Sequence, residues 1–267
     1  TDITLVGRDP SFEPVITFCI NESDAVTAVS ESLKAATFEH FKITRDIHVI
    51  SNFVVPESEK SVFSEHMRLK YASDGERIVC HISNFRKVKR VDDVVRVFAL
   101  LNKTIPSKLI LVGDGPERYL CERLCREFNL CDKVIFLGKV RDTTHVLEIA
   151  DVFLLPSETE SFGLVALEAM AAKVPVISSN AGGIPEVNVH GVTGYLASPG
   201  AVEEMAAFGL SLLQDEEKLA QFKRQAFDHA KKFSIEKIVP MYEAAYEKAL
   251  GDYCLDIVIS SCNSYER

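Results

Sequence analysis

From Arg77 onward, short apolar runs alternate with helical patterns. "RIVCHIS" (77–83), "KLILVG" (108–113), "KVIFLG" (133–138), "DVFLLPS" (151–157) and "VPVISS" (174–179) are continuous in Val, Ile and Leu. Runs of this length without clean polar alternation predict strands buried on both faces, as in a parallel sheet. Between them lie helical patterns over 91–102, 116–129, 143–150 and 162–172, with Pro116 placed as a first helical residue after Gly115. Strands alternating with helices predict βαβ crossovers and a doubly wound parallel sheet, so the fold class is α/β. "HGVTGYLAS" (190–198) reads as a turn or small hairpin, and three helical stretches follow at 201–213, 215–232 and 235–249.

The first seventy residues read as part of another unit. "PVITFCINESDAVTAVSESLKAATFEHF" predicts a helix, a short strand and a helix, with Ser30 as N-cap before Leu33. "DIHVISNFV" (46–54) predicts a further strand, and the polar stretch 56–75 a connection. Two strands and two helices are too few for an independent core. The expected organisation is therefore 1–75 as part of a first domain with its linker, and 76–234 as a complete second domain. Residues 235–250 are expected as a helix packing back toward the first domain, and 251–267 as a tail that does not continue that helix. The chain begins at Thr1 rather than Met, which suggests a fragment.

Composition narrows the function classes. The chain has 267 residues, 47% hydrophobic and 26% charged, with a formal net charge of −9 and a pI near 5.4. That acidic balance argues against duplex nucleic acid or an anionic membrane as the main partner, though a local basic loop can still bind phosphate. No apolar run approaches the ~20 residues needed to span a bilayer, and no secretory pattern is present. Seven scattered cysteines without a CxxC pair read as reduced thiols, and the expected location is cytoplasmic. Cys121, Cys125 and Cys131 form the tightest group; with no His or fourth Cys close by in sequence, a core role outweighs a metal site.

Ligands of open α/β sheets bind beyond the carboxyl ends of the strands. The segments after the five predicted strands read "NFRKVKR" (84–90), "GDGPE" (113–117), "GKVRD" (138–142), "ETESFG" (158–163) and "NAGGIPE" (180–186). Four of the five contain glycine and two are strongly basic, which points to a phosphate-bearing ligand. "NFRKVKR" carries Arg86, Lys87, Lys89 and Arg90 just where a buried strand gives way to a helix. Phosphate contact is favoured there over a solvated turn, because backbone N–H groups add to the cations. In "GDGP" a ligand approach and a plain turn weigh equally.

Two acids flank the start of the 162–172 helix. Glu160 lies in the loop before it, where a carboxylate can accept hydrogen bonds from sugar hydroxyls, and Glu158 competes for that role. Glu168, between Leu167 and Ala169, would lie ~9 Å along the axis from Phe162. A carboxylate there is costly without partners, and ribose hydroxyls would supply them. The competing reading makes Glu160 a dipole-complementing acid and Glu168 a surface residue; spacing alone leaves both open.

Together these segments resemble a family. Glu160-Ser-Phe-Gly-Leu-Val-Ala-Leu-Glu168 matches the E-x7-E motif of retaining GT-B glycosyltransferases of the GT4 type. "GDGPE", "FLG", "ADVFLLPSETESFGLVALEAMA", "VPVISSNAGGIPEV" and "HGVTGYL" occur in family order, covering nearly all of 77–232. "TDITLVGRDPSF" (1–12), "SDAVTAVSESLK" (23–34), "VISNFV" (49–54) and "ISNFRKVKRVDDVVRVF" (82–98) are similar to members that move N-acetylglucosamine from UDP to the hydroxyl of L-malate, the first step of bacillithiol formation. The resemblance implies a GT-B fold with one complete Rossmann-like domain and a partial one. It also implies a UDP-sugar donor, a small hydroxy-acid acceptor, retained anomeric configuration, no required metal or cofactor, and a cytosolic, homodimeric protein. Other activities of the family, on lipid or saccharide acceptors, remain open, as does a nucleotide-sugar-binding remnant without turnover.

Carried onto this chain, the family pattern makes Glu160, Lys89 and Arg86 the catalytic group. Glu160 would contact the sugar, Glu168 the ribose, and Lys89 the diphosphate. Arg86 would stand in for the arginine usually found where this sequence has Asn84. Asn84, Gly113 and Ser161 would line the donor site, backbone amides of Phe162, Gly163 and Leu164 would hold sugar and diphosphate, and Lys139 and Val140 would meet uracil. The family's glycine-rich loop and its histidine before the stretch matching Thr1 are absent. Only a remnant of the acceptor site would remain, around Thr1 and Asp2.

Overall fold

The computed structural model describes residues 9–56 and 62–263 and divides into two compact units. One comprises the described residues up to Phe53 together with those from Phe233 on; the other is Val54–Lys232.

In the first unit, helix α1 (Glu13–Asn21), strand β1 (Thr27–Ala28), helix α2 (Glu31–His40) and strand β2 (His48–Val49) form a βαβ arrangement in which the two strands pair in parallel. Ser30 caps α2 as its sequence position predicts: its Oγ accepts from the Leu33 amide at 3.0 Å. The strands are far shorter than the 46–54 run suggests. The long helix α11 (Ile235–Asn263) belongs to this unit and is tied to it by a hydrogen bond from the Tyr242 hydroxyl to the Ile50 carbonyl. It continues through Gly251, where the sequence predicted its end. A single glycine lowers helix stability by about 1 kcal/mol without terminating the ladder.

The second unit carries helix α3 (Val62–Tyr71), then strands and helices in alternation: β3 (Arg77–Ile82), α4 (Val91–Asn102), β4 (Ser107–Val112), α5 (Arg118–Glu127), β5 (Val134–Gly138), α6 (Thr144–Ile149) and β6 (Val152–Leu155). They are followed by α7 (Leu164–Ala171), β7 (Val176–Ser179), α8 (Ile184–Val187), β8 (Gly194–Ala197), α9 (Val202–Leu213) and α10 (Glu216–Ala230). All six strands are parallel, in the order β5-β4-β3-β6-β7-β8. Helices α4, α5 and α9 pack together, as do α3, α6, α7 and α10, so the sheet is covered on both faces. Continuous burial of β3, β4, β6 and β7 follows from that cover, and it is why their sequences are apolar without alternation.

Three local expectations change. The 190–198 segment contributes a sixth parallel strand rather than a hairpin: Gly194 sits so close to β7 that a Cβ would lie 1.8 Å from the Val176 carbonyl oxygen. Helix α5 starts at Arg118, after a turn holding Pro116, and the Glu117 amide bonds the Phe85 carbonyl at 2.9 Å. The polar 56–75 stretch contains α3, whose Arg68 donates to the carbonyls of Ile149 and Glu76 and to Asp151 Oδ2, at 2.6, 2.8 and 2.9 Å. Asp151 is buried and also accepts from Lys223 Nζ and the Ile78 amide, each at 2.9 Å. Burial pushes its pKa up, but Lys223 and Arg68 outweigh that and hold the carboxyl below its ordinary value. Cys121 and Cys125 are core residues of α5, and Cys131 is exposed.

Candidate active site

Strand order reverses between β3 and β6. Their backbones register only at Val79↔Val152 and Cys80↔Phe153, after which the chains part. An opening at the carboxyl ends of two strands whose connections run in opposite directions is where α/β sheets bind ligands. The loops that leave β3 and β6 are the basic segment 83–90 and the acidic segment 156–163.

The first loop is held against its neighbour. Ser83 and Phe85 donate backbone hydrogen bonds to Val112 and Asp114, both at 3.1 Å, and the Phe85 ring is fully buried. Gly113 (φ 121°) and Gly115 permit this: Cβ atoms there would lie 1.8 Å from the Ser83 oxygen and 2.7 Å from the Phe85 oxygen. The glycines of "GDGP" thus allow loop to approach loop. Of the four cations, Arg86 and Lys87 are exposed, while Arg90 bonds Asp93 at 2.7 Å and opens α4 from a left-handed conformation (φ 48°). Lys89 closes a short 3-10 turn and points across the opening.

Its partner is Glu160. Lys89 Nζ donates to Glu160 Oε1 at 2.6 Å, and Ser157 Oγ donates to the same oxygen at 2.9 Å. Glu160 is only 8% exposed, whereas the side chain of Glu158 is exposed and its amide bonds the Val88 carbonyl at 2.8 Å. Geometry therefore gathers Glu160, not Glu158, with the cation. The "NAGGIPE" loop supports it from behind: the Gly183 amide bonds the Glu160 carbonyl at 2.8 Å. A Cβ on Gly182 (φ 58°) would lie 2.0 Å from that carbonyl oxygen.

Helix α7 begins later than its sequence suggested. Gly163 is left-handed (φ 90°, ψ 45°), so the first helical residue is Leu164, and Glu168 lies ~6 Å along the axis from it. The first-turn N–H groups, which no helix satisfies internally, start at the opening. Phe162 is buried and Leu164 is 40% exposed. Glu168 is partly buried, and among the described residues no ion pair or hydrogen bond reaches its carboxylate. Burial accordingly raises its pKa. A carboxylate in that state gains from any ligand that brings hydroxyl donors.

Asn84, Lys139 and Val140 are exposed at the carboxyl ends of β3 and β5, Gly113 follows β4, and Ser161 follows Glu160. Thr1 and Asp2 lie outside the described residues. Sequence reasoning missed Ser157, His81 and Ser83. His81 is fully buried in β3, with Nδ1 2.8 Å from the Leu154 carbonyl and Nε2 2.7 Å from Ser83 Oγ. The signal was an imidazole inside the apolar run "RIVCHIS", with a hydroxyl two residues on and so on the same side of the strand.

Residues 63–229 match the family described as glycosyl transferases group 1. The chain is 45% identical over 257 residues to N-acetyl-alpha-D-glucosaminyl L-malate synthase of Bacillus anthracis, covering 94% of this chain and 67% of that protein. The chain belongs to the group 1 glycosyl transferases. Within that family it is also 32% identical to D-inositol 3-phosphate glycosyltransferase of Mycobacterium marinum, across 67% of this chain and 40% of the relative. It thus spans between two fifths and two thirds of the length of these curated relatives. Among solved structures, Anabaena HepE, in complex with UDP and glucose, superposes with a TM-score of 0.84 at 24% identity, over 92% of this chain and 70% of that one. That likeness shows the shared fold, the GT-B type expected from the motifs.

Proposed function

We propose that the Val54–Lys232 unit is the donor half of a retaining glycosyltransferase that moves N-acetylglucosamine from UDP to the hydroxyl of L-malate. The observation that carries the reading is the Lys89–Glu160 pair spanning the switch point, beside the start of a helix whose Glu168 carboxylate meets no partner among the described residues. A basic side chain, an anion-seeking helix start and two carboxylates with capacity for hydroxyl groups suit a sugar diphosphate. The identity to the malate synthase of B. anthracis supports this donor and acceptor.

In this reading Glu160 accepts from sugar hydroxyls and Glu168 from the ribose. Lys89, Arg86 and the amides of Phe162, Gly163 and Leu164 carry the diphosphate charge. Asn84, Gly113 and Ser161 line the donor, and Lys139 and Val140 meet uracil. The bond from the anomeric carbon to the phosphate oxygen breaks, and its electron pair leaves with UDP. The malate oxygen bonds the same face, and its proton passes to the departing phosphate. In the same reading Thr1 and Asp2 belong to the acceptor side, and the working protein is a cytoplasmic homodimer.

The test is release of UDP from UDP-N-acetylglucosamine with L-malate, set against glycerol-lipid and saccharide acceptors. Malate-dependent release is expected. Release with another acceptor alone would replace malate in the reading, and UDP binding without release would make this chain a donor-binding portion only.

A further inference from the structure

A carbonyl oxygen can only accept, so His81 Nδ1, 2.8 Å from the Leu154 oxygen, carries the proton, and Nε2 accepts from the Ser83 hydroxyl. Both nitrogens are used, which fixes the tautomer and the ring's orientation. The imidazole stacks on Phe153 with centroids 6.2 Å apart and lies 6.4 Å from Phe85. It follows directly on Cys80, the last β3 residue in register with β6, so the side chain extends the link between the strands where their backbones part.

Two bonds cross nearer the rim: the Glu158 amide to the Val88 carbonyl, and Lys89 to Glu160. A bound diphosphate competes for Lys89, and a sugar competes for Glu160. The ion pair is therefore the link that a donor disturbs. His81 lies below it, where no ligand group reaches a fully buried ring. On the other side, Ser83 is bonded to Val112 and pressed against Gly113, so the β3 loop cannot yield toward β4.

We infer that His81 is a positioning residue of the donor site: through Leu154 and Ser83 it holds the loop presenting Lys89 at a fixed separation from the loop presenting Glu160. The inference rests on the donor-site reading above. It gives the site preorganisation that survives when the donor takes over the rim contacts. The charged group acting on His81 is Lys89, itself paired with Glu160; the other groups against the ring, Ser83, Phe85, Phe153 and the Leu154 carbonyl, are uncharged. Burial, helped by Lys89, lowers the imidazole pKa to about 4, so the ring is neutral at physiological pH.

Titration calorimetry of the full chain with UDP tests this, in parallel with thermal melts. His81→Phe removes both hydrogen bonds and is expected to weaken UDP binding at least tenfold. His81→Asn, whose amide keeps a donor for Leu154, should recover part of that loss. In a Lys89→Ala background, His81→Phe should cost less than twofold, because its effect runs through Lys89. A lowered melting temperature with UDP affinity within twofold of wild type would mean packing alone and overturn the inference. An equal loss with and without Lys89 would overturn it too. If His81→Phe does not fold, Ser83→Ala decides by the same two readings, with an expected three- to fivefold loss. A wild-type chain that fails to bind UDP brings down the donor-site reading and the inference with it, whereas normal wild-type binding with an indifferent His81→Phe removes only the latter.

Discussion

Lys89→Ala tests whether the rim of the switch point is an ion pair of consequence or a surface contact. The two side chains are 17% and 9% exposed and meet at 2.6 Å. With an effective dielectric of about 20, that separation gives a gross attraction of about 6 kcal/mol. Desolvation offsets most of it, and deleting one partner of a buried pair typically costs about 3–5 kcal/mol. Here Ser157 still serves Glu160 and some water reaches the site, so a cost of about 2–3 kcal/mol is expected. For a unit of this size, that corresponds to a fall in melting temperature of roughly 4–12 °C. Lys89→Met combined with Glu160→Gln should cost less than the two single changes summed, by about 1–2 kcal/mol. Differential scanning calorimetry supplies the melting shifts, and urea unfolding the free energies. UDP titration should show Lys89→Ala weakened roughly 10- to 100-fold, the range of one charge-assisted hydrogen bond. Glu160→Gln should leave UDP affinity unchanged or improved, by freeing Lys89, while weakening UDP-N-acetylglucosamine. Melting within 1 °C of wild type and UDP affinity within twofold for Lys89→Ala would refute both the pair and the donor role.

Four further outcomes follow from the same geometry. Glu168→Gln should raise the melting temperature of the free protein, because it removes a partly buried charge that has no partner among the described residues, yet weaken UDP binding roughly tenfold; calorimetry reads both. Asp151→Asn should destabilise by about 3 kcal/mol in urea unfolding, since Lys223 and Arg68 lose their shared anion. The folded-state pKa of Asp151 is depressed, so its contribution is present above the unfolded carboxyl range and lost as pH falls through the folded value; the variant should show a shallower acid slope there. His81 titrates near 4 when folded against 6.5 as its ordinary value, so the unfolded chain binds more protons between those limits. Stability should fall by about 2 kcal/mol from pH 7 to pH 5, and His81→Phe should flatten that change in urea titrations at the two pH values. Gly182→Ala should abolish UDP binding and lower the melting temperature by at least about 5 °C, because its Cβ has no room beside the Glu160 carbonyl and its φ is +58°.

The parallel sheet and most of the helices are legible in the sequence alone. Strands covered on both faces are apolar almost throughout, so "IVCH" (78–81) or "VFLL" (152–155) can be read as buried without knowing their neighbours. The helix at 91–102 and the Ser30 cap are likewise local, set by contacts a few residues apart. Motif order supplied the family, and the opposed acid and base loops supplied a candidate site. Which acid meets which base is set by tertiary packing. Lys89 and Glu160 are 71 positions apart, and their meeting depends on β6 lying beside β3 rather than on anything in either segment. The same holds for Glu158, whose spacing is nearly that of Glu160 but whose side chain faces solvent. Gly163 moved the start of α7, and Gly113 proved to serve a neighbouring loop, because backbone conformation and close approach are properties of the folded chain. His81 was legible only as an oddity in an apolar run. The two-residue strand period puts Ser83 on its side, but the Leu154 carbonyl comes from the neighbouring strand, which no periodicity in the sequence reveals.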